Sequence, residues 1–189
     1  MDNRTDEMLV ESAKYGDDAA YRELMRRYMG PIFGFAKQYA KTTEDAEDIA
    51  QDTFFKAWKH LKRFKPDKTF RPWLYAIARN TALDQIKKRR ASSFSELDSQ
   101  DSELQFVDTL EDNEPLPSED YERSELAAEL TDSMKGLHPD HRRVLDMHYR
   151  EGLTFNEIAA IMKKPMNTVK SWHRRALERV KKALPHRKP

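Results

Sequence analysis

The chain contains no cysteine, which removes disulfides, thiolate catalysis and cysteine-ligated zinc from consideration. Glycine is scarce, with five in 189 residues, and no Asn-Gly or Asp-Gly turn separates runs of alternating polarity, so a large sheet is not expected. No apolar run is long enough for a signal peptide or a membrane span, which predicts a cytoplasmic protein with no membrane insertion. A strong net charge is also missing, yet the formal +1 averages segments of opposite sign. What remains is a chain that is 38% hydrophobic and 35% charged, long enough for two small domains. The expected fold class is all-α: two small helical domains joined by an acidic flexible linker, with a helix-turn-helix at the C-terminal end.

That last third carries the sharpest signals. Thr154 and Glu157 have capping-box spacing, which predicts a helix start, and Phe155, Ile158, Ala159 and Met162 then form an apolar stripe. Lys163-Lys164-Pro165 interrupts it, and Pro165 suits the first position of a second helix. A gap of about three or four residues is helix-turn-helix spacing. At about 100° per residue the second helix sorts into two faces. Val169, Ala176, Val180 and Leu184 point inward, whereas Asn167, Lys170, Ser171, Arg174 and Arg175 point outward, with Arg179 on the flank. The outward residues are types that read base edges and hold phosphates. A surface helix with a solvated basic face is the plainer reading, but the cap, the short turn and the one-sided charge coincide.

Earlier in the chain, Thr5 or Asp6 can cap a helix holding Leu9, Val10 and Ala13, ended at Gly16-Asp17-Asp18. Tyr21, Leu24, Met25, Tyr28, Ile32, Phe35 and Tyr39 keep helical spacing, with Gly30-Pro31 expected to bend or break the run. From Thr43 to Leu61 an amphipathic helix buries Ala46, Ile49, Ala50, Thr53, Phe54, Ala57, Trp58 and Leu61. Its other face aligns Asp48, Gln51, Asp52, Phe55 and Lys59, and an outward phenylalanine among polar groups suits a protein contact, although a single exposed Phe is common. A loop from Phe64 to Phe70 follows, with Lys65, Asp67 and Lys68 between the aromatics, and Pro72 opens the next helix. Trp73, Ile77, Asn80 and Asp84 share one face of it, and Lys87, Lys88, Arg89 and Arg90 close it. Rings beside cations are what unpaired bases need, while a core Trp73 and a basic end that complements the helix dipole are the ordinary alternative.

Between Ala91 and Glu122 there is no Lys or Arg, but eleven acidic residues, Glu122 included, occur among Ser and Pro, so disorder or partner-dependent order is expected. Helical spacing resumes near Ser118 with Leu126, Leu130, Met134 and Leu137, turns at His138-Pro139 and continues to Gly152. Two other functions stay in view. A regulator binding duplex DNA alone would need a dimer seam, and none is obvious. A Mg²⁺ nuclease using Glu44, Asp45, Glu47, Asp48 and Asp52 fails because consecutive acids on a helix do not converge on one ion.

The stretches DAEDIAQDTFFKAW, FRPWLYAIARNTALDQIKKRR and LTFNEIAAIMKKPMNTVKSWHRRA together resemble the bacterial sigma factors of the sigma-70 family, and among them the extracytoplasmic-function (ECF) subgroup. The resemblance implies a region 2-like domain over 1–91, an acidic linker over 92–117 and a region 4-like domain over 118–189. It implies that Asp48, Gln51, Asp52 and Phe55 face core RNA polymerase, made of its beta and beta-prime subunits among others. By the same resemblance, Phe64, Lys65, Asp67, Lys68, Phe70 and Asn80 capture a flipped base of the minus-ten element, supported by Trp73, Arg89 and Arg90. Asn167, Thr168, Lys170, Ser171, Arg174 and Arg175 would read the minus-thirty-five element, and the linker would enter the polymerase's RNA path. Promoter DNA and polymerase are the implied partners, with an anti-sigma factor as a further one. No enzyme activity, small-molecule substrate, cofactor or metal is implied. One departure stands out: Trp172-His173 replaces the family's usual Arg followed by an inward Leu, and a helix rolled to make Trp172 the core residue is the favoured outcome.

Overall fold

The computed structural model describes residues 2–65, 68–94, 134 and 136–183, and these fall into two units, each with its own packing. Among the described residues every regular element is helical. The sequence explains where most helices begin.

In the first unit, α1 (Asp6–Lys14) is capped by Thr5, whose hydroxyl accepts from the Met8 N–H, and it buries Leu9, Val10 and Ala13 as expected. Gly16 turns the chain at φ +97° and Asp17 caps α2 (Asp18–Lys37) by accepting from the Ala20 N–H. Of the bend or break expected at Gly30-Pro31, the break does not occur: this helix runs unbroken through Pro31, Ile32, Phe35 and Ala36 stay buried beyond it, and core burial on both sides of the proline carries the helix across. Charged pairs tie α1 to α2: Arg27 binds Asp6 at 2.9 Å, and Arg4 spans Asp2 and Asp17. The Arg4 guanidinium holds the Asp2 carboxyl down at about 2, and Arg26 and then Arg27 hold Glu23 there too.

Thr42 and Asp45 form a reciprocal capping box at the start of α3 (Thr43–His60). A 3₁₀ turn (Leu61–Arg63) follows, and then α4 (Phe70–Phe94). α3 packs against both α2 and α4, and the predicted Ala46, Ile49, Ala50, Thr53, Phe54 and Ala57 are buried on it, with Leu61 buried in the 3₁₀ turn. Trp58 is the exception. It is 41% exposed, with its ring set against Tyr21 at 4.7 Å rather than enclosed.

In the second unit, α5 (Pro139–Leu145) starts with Pro139 in the first turn and His138 Nδ1 accepting from the Asp140 N–H. It continues into a π turn (Asp146–Arg150), which Gly152 ends at φ +64°. The helix-turn-helix proper is α6 (Phe155–Met162) and α7 (Met166–Ala183). Thr154 and Glu157 make the expected capping box, with Thr154 N–H to Glu157 at 2.8 Å and Glu157 N–H to Thr154 at 3.3 Å. Leu137, Leu145, Ala176 and Val180 form a core that packs α5 on α7, with Met134 against it. The expected stripe on α6 is shifted: Ile158, Ile161 and Met162 are buried, while Phe155 is only half-buried. Pro165 lies one residue before α7, and its carbonyl accepts from the Thr168 and Val169 N–H groups. The linker, Asp67, Leu126, Leu130 and Leu184 lie outside the described residues.

Candidate functional site

Three surfaces carry the residues singled out in the sequence. On α3, Asp48, Gln51, Asp52 and Phe55 are all exposed along one stripe, Phe55 at 67%. Trp58 borders the same stripe, a residue that helical periodicity alone had assigned to the core. An exposed Phe and Trp flanked by carboxylates, on a helix whose opposite face is buried, have the mixed chemistry that suits a protein contact. A flanking position on the helical wheel was the available signal for Trp58.

On the second surface the aromatic residues of the loop divide. Phe64 and Phe70 are buried in the core, against each other at 6.2 Å and against Trp73 at 5.0 and 5.7 Å. Phe70 also packs edge-on against Tyr28. Both rings are enclosed by the core, so in this structure neither presents an open face to solvent. Burial, and then hydrogen bonding to Asp6, pushes the Tyr28 hydroxyl up to about 12, so it stays protonated in that core. Lys65, Lys68 and Asn80 are exposed, and Trp73 is half-exposed at the edge of the cluster. Lys87, Lys88, Arg89 and Arg90 are exposed at the far end of α4. Arg89 nevertheless grips Asp45 with both terminal nitrogens.

The third surface is α7. Val169, Ala176 and Val180 face inward, and Asn167, Lys170, Arg174 and Arg175 are exposed, with Thr168 and Ser171 at the boundary. This is the predicted split except at Ser171, which was expected to point outward. Trp172 and His173 share the flanks: each is half-buried, so the roll that would make Trp172 a core residue is absent. Trp172 lies 6.1 Å from the His141 ring on α5. His173 sits among His148, Tyr149 and Phe155, with ring centroids 5.0 to 5.7 Å away, and its Nε2 hydrogen-bonds with the Tyr149 hydroxyl at 3.2 Å. His148 stacks on Phe155 at 4.6 Å, and its Nδ1 must donate to the Leu153 carbonyl, which can only accept. Burial and then His148 hold His173 below the ordinary histidine value. An imidazole cluster of this kind seats α7 on the π turn and α6. Sequence reasoning missed it, because its members come from three separate elements.

Among the described residues no group of His, Asp or Glu is arranged to hold a metal ion, and no helix is long and apolar enough to cross a membrane.

Residues 24–92 match the family model of Sigma-70 region 2, and residues 133–182 match that of Sigma-70, region 4. The RNA polymerase sigma-H factor of Pseudomonas aeruginosa is 35% identical over 180 residues, covering 95% of this chain and 93% of that protein. The ECF RNA polymerase sigma-E factor of Haemophilus influenzae is 30% identical over 181 residues, with 95% of each chain covered. In fold, the chain is similar to a solved sigma factor RpoE, bound to the anti-sigma factor NepR, from Bartonella quintana. That match has a TM-score of 0.62 at 21% identity and covers 89% of this chain and 98% of that one. With two matched regions in order, and relatives covered nearly end to end, the chain belongs to the sigma-70 family as an ECF sigma factor.

Proposed function

We infer that residues 1–91 bind core RNA polymerase and the minus-ten element, that residues 92–117 act as an acidic tether, and that residues 118–189 read the minus-thirty-five element. The observation that supports this most is the pairing of two chemically different surfaces: an acidic and aromatic stripe on α3, and a one-sided basic face on α7. The stripe of Asp48, Gln51, Asp52 and Phe55, with Trp58, binds the beta and beta-prime assembly. Lys65, Lys68, Trp73, Asn80 and Arg90 engage the opened strand, where protein contacts offset a few kcal/mol of lost base stacking. Phe64 and Phe70 hold that loop in place from beneath. Asn167, Thr168, Lys170, Ser171, Arg174 and Arg175 enter the major groove upstream.

In this reading the protein works in the cytoplasm, catalyses no reaction itself and needs no cofactor. An anti-sigma factor that covers the α3 stripe would compete with polymerase; a protein of the same fold, the Bartonella sigma factor RpoE, has been solved in complex with the anti-sigma factor NepR. The test is transcription from supercoiled promoter DNA by purified core polymerase, with and without the chain. Start-site-specific transcripts should appear only with it, and no gain in such transcripts would overturn the assignment.

A further inference from the structure

Asp45 and Arg89 join the start of α3 to the end of α4. Asp45 is 7% exposed and already works as the capping-box residue of α3, accepting from the Lys41 and Thr42 N–H groups at 3.3 Å each. Such a carboxylate ordinarily turns its remaining lone pairs to water. Here the Arg89 guanidinium closes on both oxygens, Nη1 on Oδ2 and Nη2 on Oδ1. That planar fork is a geometry arginine supplies and lysine does not.

A second link lies further along the same two helices. Lys56 Nζ donates to Thr81 Oγ1 at 3.1 Å and lies 3.8 Å from Asp84. Asp45 opposite Arg89 and Lys56 opposite Thr81 make α3 and α4 antiparallel, pinned at points about three turns of α3 apart. Between the pins run small or apolar residues that are buried on the two helices, Ala46, Ile49, Ala50, Thr53 and Ala82. This packing resists separation, but small side chains alone fix sliding poorly, and directional charge pairs fix it well.

We propose that Arg89 is a positioning residue: its fork on Asp45 fixes the basic end of α4 relative to the polymerase-facing stripe of α3, and it does not itself neutralise a DNA phosphate. This rests on the proposed roles of those two surfaces. It also departs from the simplest view of a run of four cations, in which all four hold phosphate. To reach a phosphate, Arg89 would have to release a buried carboxylate whose other partners are both backbone groups. Lys87, Lys88 and Arg90 are exposed beside it and can serve the strand.

Full-length variants Arg89→Ala, Arg89→Lys, Asp45→Asn and the Arg89→Ala/Asp45→Asn pair, with Arg90→Ala for comparison, can be assembled with core polymerase. Promoter opening is read from permanganate reactivity of the minus-ten strand, and electrostatic contacts from the slope of log affinity against log salt. Arg89→Ala and Asp45→Asn should each slow opening by about tenfold, with the double variant no worse than either. Arg89→Lys should fail to rescue, and the salt slope should stay at the wild-type value in all four. Arg90→Ala should lower that slope by about one. The proposal is overturned if Arg89→Ala lowers the slope by about one while Asp45→Asn opens normally, or if Arg89→Lys restores opening. It also fails if both single variants melt at lower temperature yet open at the wild-type rate. Absence of promoter-specific opening by the wild-type holoenzyme would instead refute the functional assignment beneath it.

Discussion

Lys163 occupies a backbone position that favours glycine. At φ 53° it lies in the left-handed region, where it ends α6 with the Lys164 N–H reaching back to the Ala159 carbonyl at 3.0 Å. A side chain there costs about 1–2 kcal/mol, part of which glycine gives back as extra freedom in the unfolded chain. Lys163→Gly should therefore stabilise the helix-turn-helix by about 0.5–1 kcal/mol, seen as a rise in the denaturation midpoint. A lower midpoint would show that the lysine makes a compensating contact. His173 supports a prediction about pH. Burial and His148 lower its proton affinity, and burial, then His138 and Arg175, lower that of His141. Below 6.5 the unfolded chain takes up protons that the folded unit refuses, so stability present above that value is lost as pH falls through the depressed folded values. The melting temperature should drop between about pH 7 and about pH 5.5, less steeply in His173→Phe, and a flat wild-type profile would contradict this. Asp146, whose carboxyl is raised by burial, acts in the opposite sense as its own titration range is reached. None of this was legible from the sequence around residue 173, because a helical wheel orders the side chains of one helix and knows nothing of Tyr149 or Phe155.

At the scale of elements, adjacent residues of α3 do unrelated work. Phe54 is 2% exposed and its carbonyl accepts from the Tyr21 hydroxyl, whereas Phe55 points outward. Phe54→Ala should cost about 3–5 kcal/mol of stability, measured by chemical denaturation. Phe55→Ala should leave the denaturation curve nearly unchanged and weaken binding to core polymerase by about tenfold or more, measured by competition with the wild-type chain. Equal effects of the two on stability would remove the outward stripe from the interface. On α7, Arg174→Ala should weaken upstream DNA binding and reduce the salt slope by about one. Caps and periodicity were readable in part because they are local: Thr5 and Thr154 cap the helices they precede, as the sequence predicts, whereas Asp17 and Thr42 cap α2 and α3 without having been singled out. A break at Pro31 and a core place for Trp58 were wrongly expected because tertiary packing decides both. The core on both sides of Pro31 keeps α2 continuous, and Trp58 leans on Tyr21 from the edge of the core.

At the scale of the whole molecule, the sequence displays two helical units of different surface chemistry with an acidic stretch between them, and family membership agrees with that order. The surfaces on α3 and α7 were visible because each is a stripe on a single helix. The loop before α4 was visible only in part, since burial separates Phe64 and Phe70 from Trp73 and Asn80, which share the same stretch of chain. The central claim is a division of labour, in which polymerase and the melted strand belong to the first unit and closed duplex upstream belongs to the second. Footprinting of the assembled holoenzyme on a promoter tests it most directly. Protection should cover two separated stretches, with Arg174→Ala erasing the upstream one and Asp52→Ala, by releasing the chain from polymerase, erasing both. Upstream protection that survives Arg174→Ala, or protection of both stretches by the chain without polymerase, would contradict it.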